Sequence, residues 1–577
     1  MATTPTSKPQ IQIVIVGAGV GGLAAGIALK RQLNFHSFKI LEQAGDVGGT
    51  WNGCASDIDT HWYSLSTDLN PYWRKSHVSQ PELKAYWKEL AKKYSLYDQL
   101  VLNRQVTSVD WDHKRQLYKI VSQDTKSKEV FYDEAQVVIS ATGILYVPFH
   151  PPDLDGVKVF KGTTFHSARW DYSVDLHNKR VGVVGNGCSA NQFLPIIARD
   201  PTTQVINLCR SPHWILEWEW DTFPEYLKWI FAHVPLTMRI YRYWIMARQE
   251  YFYTSLLAGE KKDNRGKVEK KLERYIKSKT PSEYHDKIIP KIPFGCRRFI
   301  VDSGYLSALH QDNFDVNYEG IAEFTESGII TKKGNKLDFD VIIFATGFVV
   351  DRYPLKVRGV EGITVQEFYD RKGGPEAYYG VTVPGFPNFY MLGGPNTTTG
   401  HASVIFTEEV QINYILNFVK PVIQRLASSF EVTPEANEEY NRDLQKKLST
   451  SVWSSCTSWY RLDHSGKVIS QWPGTMTGYW WKMRNPVWSH YKAVGANKWL
   501  KRQRIGSFIR SIGLLSLVFV LLWAQKNKGI VLSVFNYVVN QVRTRLSFFG
   551  DHHHTHDFLY QITQRSDLLP YIPWPLA

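Results

Sequence analysis

The chain has 577 residues, about three to four domains at roughly 150 residues each. Hydrophobic residues make up 43% and charged residues 21%, which supplies a large core and excludes disordered and collagen-like classes. The net charge is +14, yet eleven Lys or Arg against three Asp fall between Tyr491 and Ala577, so the basic character is concentrated in the tail. No nucleic-acid reading motif accompanies it, and a nucleic-acid partner is not expected. Five cysteines, none in a CxxC pair, argue against a disulfide framework or a Cys-based zinc site and for a reducing compartment.

In chain order, the first ten residues are polar and lack the apolar stretch of a signal peptide, so an intracellular protein is expected. IQIVIVGAGVGGLAAGIALK then reads as a buried strand, a glycine turn and a helix, with FKILEQ as the next strand. RVGVVGNGCSANQFLPIIA repeats the unit, followed by the strand VINLCR. The expected fold is α/β, with two Rossmann-like dinucleotide domains, the second inserted in the first. The parts are 1–150 (first domain), 151–340 (second domain, with a helical insertion over about 214–284), 341–490 (return to the first domain) and 491–577 (tail). The strands VVISATG and VIIFATG are both expected to rejoin the first sheet.

Gly17, Gly19 and Gly22 form GxGxxG: a tight turn, a close backbone approach to a pyrophosphate, and close helix–strand packing. The phosphates would sit on the helix N-terminus, whose free N–H groups favour anions. Glu42, 25 residues after Gly17, suits ribose hydroxyls and repels a 2′-phosphate. In the second unit Gly185, Gly187 and Ala190 stand in the same pattern, and Arg210 occupies the place equivalent to Glu42. An arginine there suits a 2′-phosphate. One acidic and one basic site imply FAD and NADPH, with hydride passing between them. Disulfide reductases would need a redox Cys pair, and no two cysteines are close in sequence, which leaves oxygen or an external acceptor.

FKGTTFHSARWD (160–171) resembles the fingerprint of type I Baeyer–Villiger monooxygenases, matching at Phe160, Gly162, His166, Trp170 and Asp171 between the two glycine motifs. GGTW followed by Asp57 resembles a second signature, in a version several residues shorter and without its YP. PFGCRRFIVDSGY resembles the segment that carries the family's active-site arginine, here Arg298, with Asp57 as its partner and Arg297 beside the 2′-phosphate. The resemblance implies further cofactor contacts at Gly49, Thr50, Trp51, Ser56, Tyr63 and Val106 for FAD. For NADPH it implies Asn186, Cys188, Ser189, Gln192 and Ser211. It also implies oxidation of a bulky apolar ketone by O2 to an ester or lactone, in the style of fungal enzymes acting on polyketides and terpenoids. A heteroatom- or carbon-hydroxylating flavin monooxygenase and a non-catalytic membrane-bound flavoprotein are the alternatives. His166 and Trp170 read equally well as packing residues between domains.

SIGLLSLVFVLLWA (511–524) is 14 residues without a charge, short of the roughly 20 needed to span a bilayer. With its basic flanks it is expected to make a membrane contact from the cytoplasmic side. No metal site is expected, and DHHHTH (551–556) reads as a solvated stretch.

Overall fold

The computed structural model describes residues 11–52, 56–217, 222–259, 261–462 and 464–503, with isolated residues between 505 and 526. The chain divides into two units, up to Asn497 and from Lys498 on. The first unit carries both expected dinucleotide domains. Ile13–Val16 is buried along its whole length and lies at the centre of a five-stranded sheet. The strand order there is Phe389–Met391, Val137–Ser140, Ile13–Val16, Phe38–Leu41, Leu100–Val101, all parallel. A strand covered on both faces needs an unbroken apolar run, and IVIV supplies it.

The second sheet repeats the plan, in the order Phe314–Asn317, Gln204–Leu208, Arg180–Val184, Val341–Phe344, Thr163–His166, again all parallel. This corrects one expectation. Val137–Ser140 does rejoin the first sheet, but Val341–Phe344 pairs with Arg180–Val184 and Thr163–His166 and so closes the second. The strand that returns the chain to the first sheet is Phe389–Met391. A short buried strand reads the same in either parallel sheet, and pattern alone does not say which neighbour it takes.

Both dinucleotide turns have the same geometry. Gly17 has φ +105°, and a Cβ on it would lie 2.5 Å from the carbonyl oxygen of Ala141. Gly185 has φ +106°, and its Cβ would lie 2.5 Å from the carbonyl oxygen of Ala345. Each ATG segment thus presses its alanine carbonyl against a turn that only glycine fits. In the first unit a Cβ on Gly22 would fall 1.9 Å from the Gly17 oxygen, so helix Val20–Leu33 seats directly on the turn. In the second, Ala190 takes the third position and is fully buried.

The expected insertion is helical: Glu225–His233, Thr237–Phe252, a π-helical turn Tyr253–Leu257, and Lys262–Lys279. Its long central helix is anchored by the buried Arg242, whose Nη1 donates to the carbonyls of His61 (2.7 Å) and Ser64 (2.8 Å). Its other face leaves Ile240, Tyr243, Trp244 and Tyr251 exposed. The aromatic stretch is therefore core on one side only.

Two further expectations change. Tyr491–Val494 pairs antiparallel with Ser429–Val432, so the body of the protein extends past 490. Cys296 and Cys456 form a disulfide, with Cα atoms 6.1 Å apart. A separation of 160 residues hides that pair from any reading of spacing. Cys209 is a free, buried thiol. Among the described residues no helix is long and apolar enough to cross a membrane, and no acidic, His or Cys cluster could hold a metal. The apolar run 511–524 lies almost entirely, and DHHHTH wholly, outside the described residues.

Candidate active site

The first dinucleotide helix begins at Gly19, which offers no side-chain cap to its first N–H groups. A Cβ on Gly19 would meet only the Cα of Gly49, at 3.7 Å. Gly49 starts the short Gly49–Asn52 turn that carries Thr50 and Trp51. The two glycines bring their backbones into close approach beside the helix N-terminus, whose uncapped N–H groups suit an anionic group. Glu42 follows strand Phe38–Leu41 and is buried; its Oε2 accepts from the Ala18 N–H (2.7 Å) and its Oε1 from the Ala44 N–H (2.8 Å). The backbone fixes this carboxylate beside the glycine turn. Val106 belongs to the apolar core behind it, with Val16 and Leu41. Tyr63 is buried. Ser56 is also buried, and its hydroxyl donates to the carbonyl of Ile58, a contact within its own turn.

The second helix, Cys188–Ile197, also starts on an uncapped glycine, Gly187, and a Cβ there would meet nothing within 4 Å. This start carries Cys188, Ser189 and, one turn in, Gln192. The basic corner beside it is assembled from two segments. Arg297 Nη1 donates to Ser211 Oγ (2.6 Å), and Asn186 Nδ2 to the Ser211 carbonyl (3.0 Å). Burial lowers the Arg297 pKa, and the nearby Arg210 charge lowers it further. Neither arginine has an ion-pair partner among the described residues. His213 shares this corner and is pushed down to about 4, by burial first and then by Arg297, so it is neutral at pH 7. Two crowded cations without a carboxylate form a site suited to a phosphate.

Arg298 and Asp57 are brought together from 241 residues apart: Nη2 donates to Oδ2 at 2.5 Å. Nη1 donates to the carbonyl of Gly400 at 3.0 Å. Burial alone would lower the arginine's pKa; the Asp57 charge, helped by Tyr460 and Cys188, outweighs it and raises the pKa above its ordinary value. Arg298 therefore stays charged at every accessible pH, next to the start of the second dinucleotide helix. The Gly400 carbonyl was not foreseen. It is a backbone group, and sequence carries no sign of it. Nor was its neighbour His401 foreseen, a buried ring stacked on Tyr253 of the insertion at 4.7 Å. Burial and then Arg298 push His401 down to about 3, so it adds no second charge beside the guanidinium.

The fingerprint residues pack. Phe160 is buried, and a Cβ on Gly162 would lie 2.3 Å from its ring. His166 ends a strand of the second sheet, accepts from the Ala168 N–H through Nδ1 (3.1 Å), and lies 5.5 Å from the ring of His150. Trp170 meets Phe165 and Phe193 edge-on at 5.2 and 5.1 Å. Asp171 is exposed and caps its own turn through Ser173. The motif fastens one strand and the second dinucleotide helix to each other rather than presenting a reactive group.

Comparison with known proteins finds relatives over most of the chain. The flavin-binding monooxygenase-like family model covers residues 10–365. A Baeyer–Villiger monooxygenase of Pseudomonas aeruginosa is 35% identical over 494 residues, covering 83% of this chain and 90% of the relative. An FAD-binding monooxygenase of Aspergillus niger, ktnD, is 32% identical over 504 residues, covering 84% of this chain and 82% of the relative. Among solved structures, the closed form of cyclohexanone monooxygenase superposes with a TM-score of 0.74 at 22% identity, covering 84% of this chain and 99% of that one. At that identity the superposition speaks for the fold, while the two sequence relatives speak for descent. The chain belongs to the flavin-binding monooxygenase-like family, in its Baeyer–Villiger branch.

Proposed function

We propose that the protein uses NADPH and O2 to convert a bulky apolar ketone, of the polyketide or terpenoid kind, to an ester or lactone. The observation that carries this reading is the Arg298–Asp57–Gly400 junction beside the second dinucleotide helix. Gly17, Gly19, Gly22, Glu42, Gly49 and the Thr50–Trp51 turn would hold FAD. Gly185, Gly187 and Ala190, with Asn186, Cys188, Ser189, Gln192 and Ser211, would hold NADPH, its 2′-phosphate between Arg210 and Arg297. Flavin, once bound and reduced, supplies the activation of dioxygen.

The protein's own contribution is a fixed positive charge and the exclusion of water. A guanidinium offers planar donors and cannot lose its proton, so it stabilises an oxyanion developing on the ketone without exchanging a proton with it. Asp57 and the Gly400 carbonyl take two of its donor groups and set its position before the substrate arrives. Removing either partner leaves a cation in a partly buried place, which is costly. Leu257 and Trp453 lie beside Gly400, within 4 Å of where a Cβ on it would stand.

Arg298→Ala should abolish ester formation while NADPH still bleaches the flavin absorbance; an unchanged product yield would remove Arg298 from the reaction. Arg210→Ala should raise the KM for NADPH about tenfold, as loss of a charge-assisted phosphate contact would, and leave the KM for NADH unchanged. An unaltered preference between the two coenzymes would refute the phosphate assignment. We propose too that the basic, apolar tail attaches the enzyme to a membrane surface. Truncation after Asn497 should then move the protein from the membrane fraction to the soluble fraction, and a full-length protein already in the soluble fraction would contradict this.

A further inference from the structure

The disulfide joins the two segments that surround the arginines. Cys296 immediately precedes Arg297 and Arg298, and Cys456 immediately precedes Thr457, whose carbonyl accepts from Arg297 Nε at 2.8 Å. A covalent bond and a hydrogen bond therefore fasten successive residues of the same two strips. Four residues on, Tyr460 is buried and lies within electrostatic reach of Arg298. The 454–466 segment is itself closed by Arg461, which donates to the carbonyls of Ser454 (3.0 Å) and Gly466 (3.1 Å).

On the other side, the arginine turn bends at Gly295 (φ +84°) and is tied to the insertion through the Phe294 N–H and Glu269 Oε1 (2.7 Å). Besides the disulfide, the hydrogen bond from Arg297 Nε to the Thr457 carbonyl joins the turn to the 455–461 segment. The two residues also differ in access: Cys296 is fully buried and Cys456 is half-buried.

We propose that Cys296 and Cys456 form a thiol pair modified by hydrogen peroxide, whose bond pins the Arg297–Arg298 turn to the 455–461 segment and so keeps NADPH oxidation coupled to oxygenation of the ketone. The chemistry balances. The reachable Cys456 thiolate attacks one peroxide oxygen, giving a sulfenic acid and hydroxide, which takes up the thiol proton as water. Cys296 then attacks the sulfenic sulfur, forming the disulfide and releasing a second water. Two electrons pass from the thiol pair to one peroxide. Peroxide is also the product of NADPH oxidation that fails to reach the ketone, so a loosened turn would generate the reagent that tightens it. In a reducing compartment such a bond is reversible rather than a structural framework.

The coupling half of this proposal rests on the role given to Arg298; the effect on NADPH rests on Arg297 alone. The test uses the full-length holoenzyme, reduced with dithiothreitol, desalted without air, and divided into portions with and without hydrogen peroxide. A sample of each portion is denatured in the presence of iodoacetamide, so that the buried Cys296 is alkylated if reduced, and digested without reductant for mass spectrometry. Ester formed per NADPH consumed and the KM for NADPH are measured in parallel.

The reduced form should carry both alkylated cysteines, a several-fold lower ester yield per NADPH and a several-fold higher KM. Peroxide should restore the linked 296–456 peptide and both kinetic values. Cys456→Ser should show the reduced values and respond to neither reagent. A linked peptide that never forms, or one that forms without moving either kinetic value, would overturn the proposal. Reversible linkage with a KM shift, together with an Arg298→Ala variant of unchanged ester yield, would instead sink the role of Arg298 and with it the coupling half, leaving the NADPH half standing.

Discussion

The Arg298–Asp57 ion pair is the constraint on which the rest of the arrangement depends. Asp57 comes from the first dinucleotide domain, Arg298 from the segment that follows the insertion in the second, and the Gly400 carbonyl from the segment after the chain has returned to the first sheet. A charged guanidinium in a partly buried place must be paired, and pairing it requires all three segments to be in register. The two sheets, the insertion and the 454–466 segment thus converge on one group. The same convergence gives the site its electrostatic character: a permanently charged Arg298 held by Asp57, with the neutral His401 beside it and the neutral His213 near Arg297.

The two dinucleotide units are structural repeats put to different uses. Their turns match to within a degree in φ at Gly17 and Gly185, and each is pressed by the alanine of an ATG segment. What distinguishes them is the residue beyond the following strand. Glu42 is locked by two backbone N–H groups, whereas Arg210 stands with Arg297 and Ser211 in a basic corner. On the proposed assignment, local sequence sets which cofactor each copy prefers, while the shared backbone provides the phosphate-binding turn.

How legible each part was follows from how local it is. The glycine turns, their helices, Glu42 and Arg210 are set within about 25 residues and could be read directly. The insertion was legible as helical from its spacing, but not which of its faces would be buried, because aromatic residues occur on both. Val341–Phe344 was placed in the wrong sheet because a buried apolar strand carries no label for its neighbour. Asp57 and Arg298 could be paired only through family resemblance, since nothing in the composition links residues so far apart. The Gly400 carbonyl and the Cys296–Cys456 bond had no signal at all: one is backbone, and the other joins cysteines 160 residues apart.

The most direct test of the account is the fate of oxygen. The purified holoenzyme would be supplied with NADPH, isotopically heavy dioxygen and a bulky fused-ring ketone, and the products analysed by mass spectrometry. The expected product is an ester or lactone that carries one heavy atom at the bridging oxygen between the carbonyl carbon and the migrated carbon, formed in step with NADPH consumption, with the original carbonyl oxygen unlabelled. A labelled alcohol, a labelled heteroatom oxide, or labelled hydrogen peroxide alone across a panel of such ketones would contradict it.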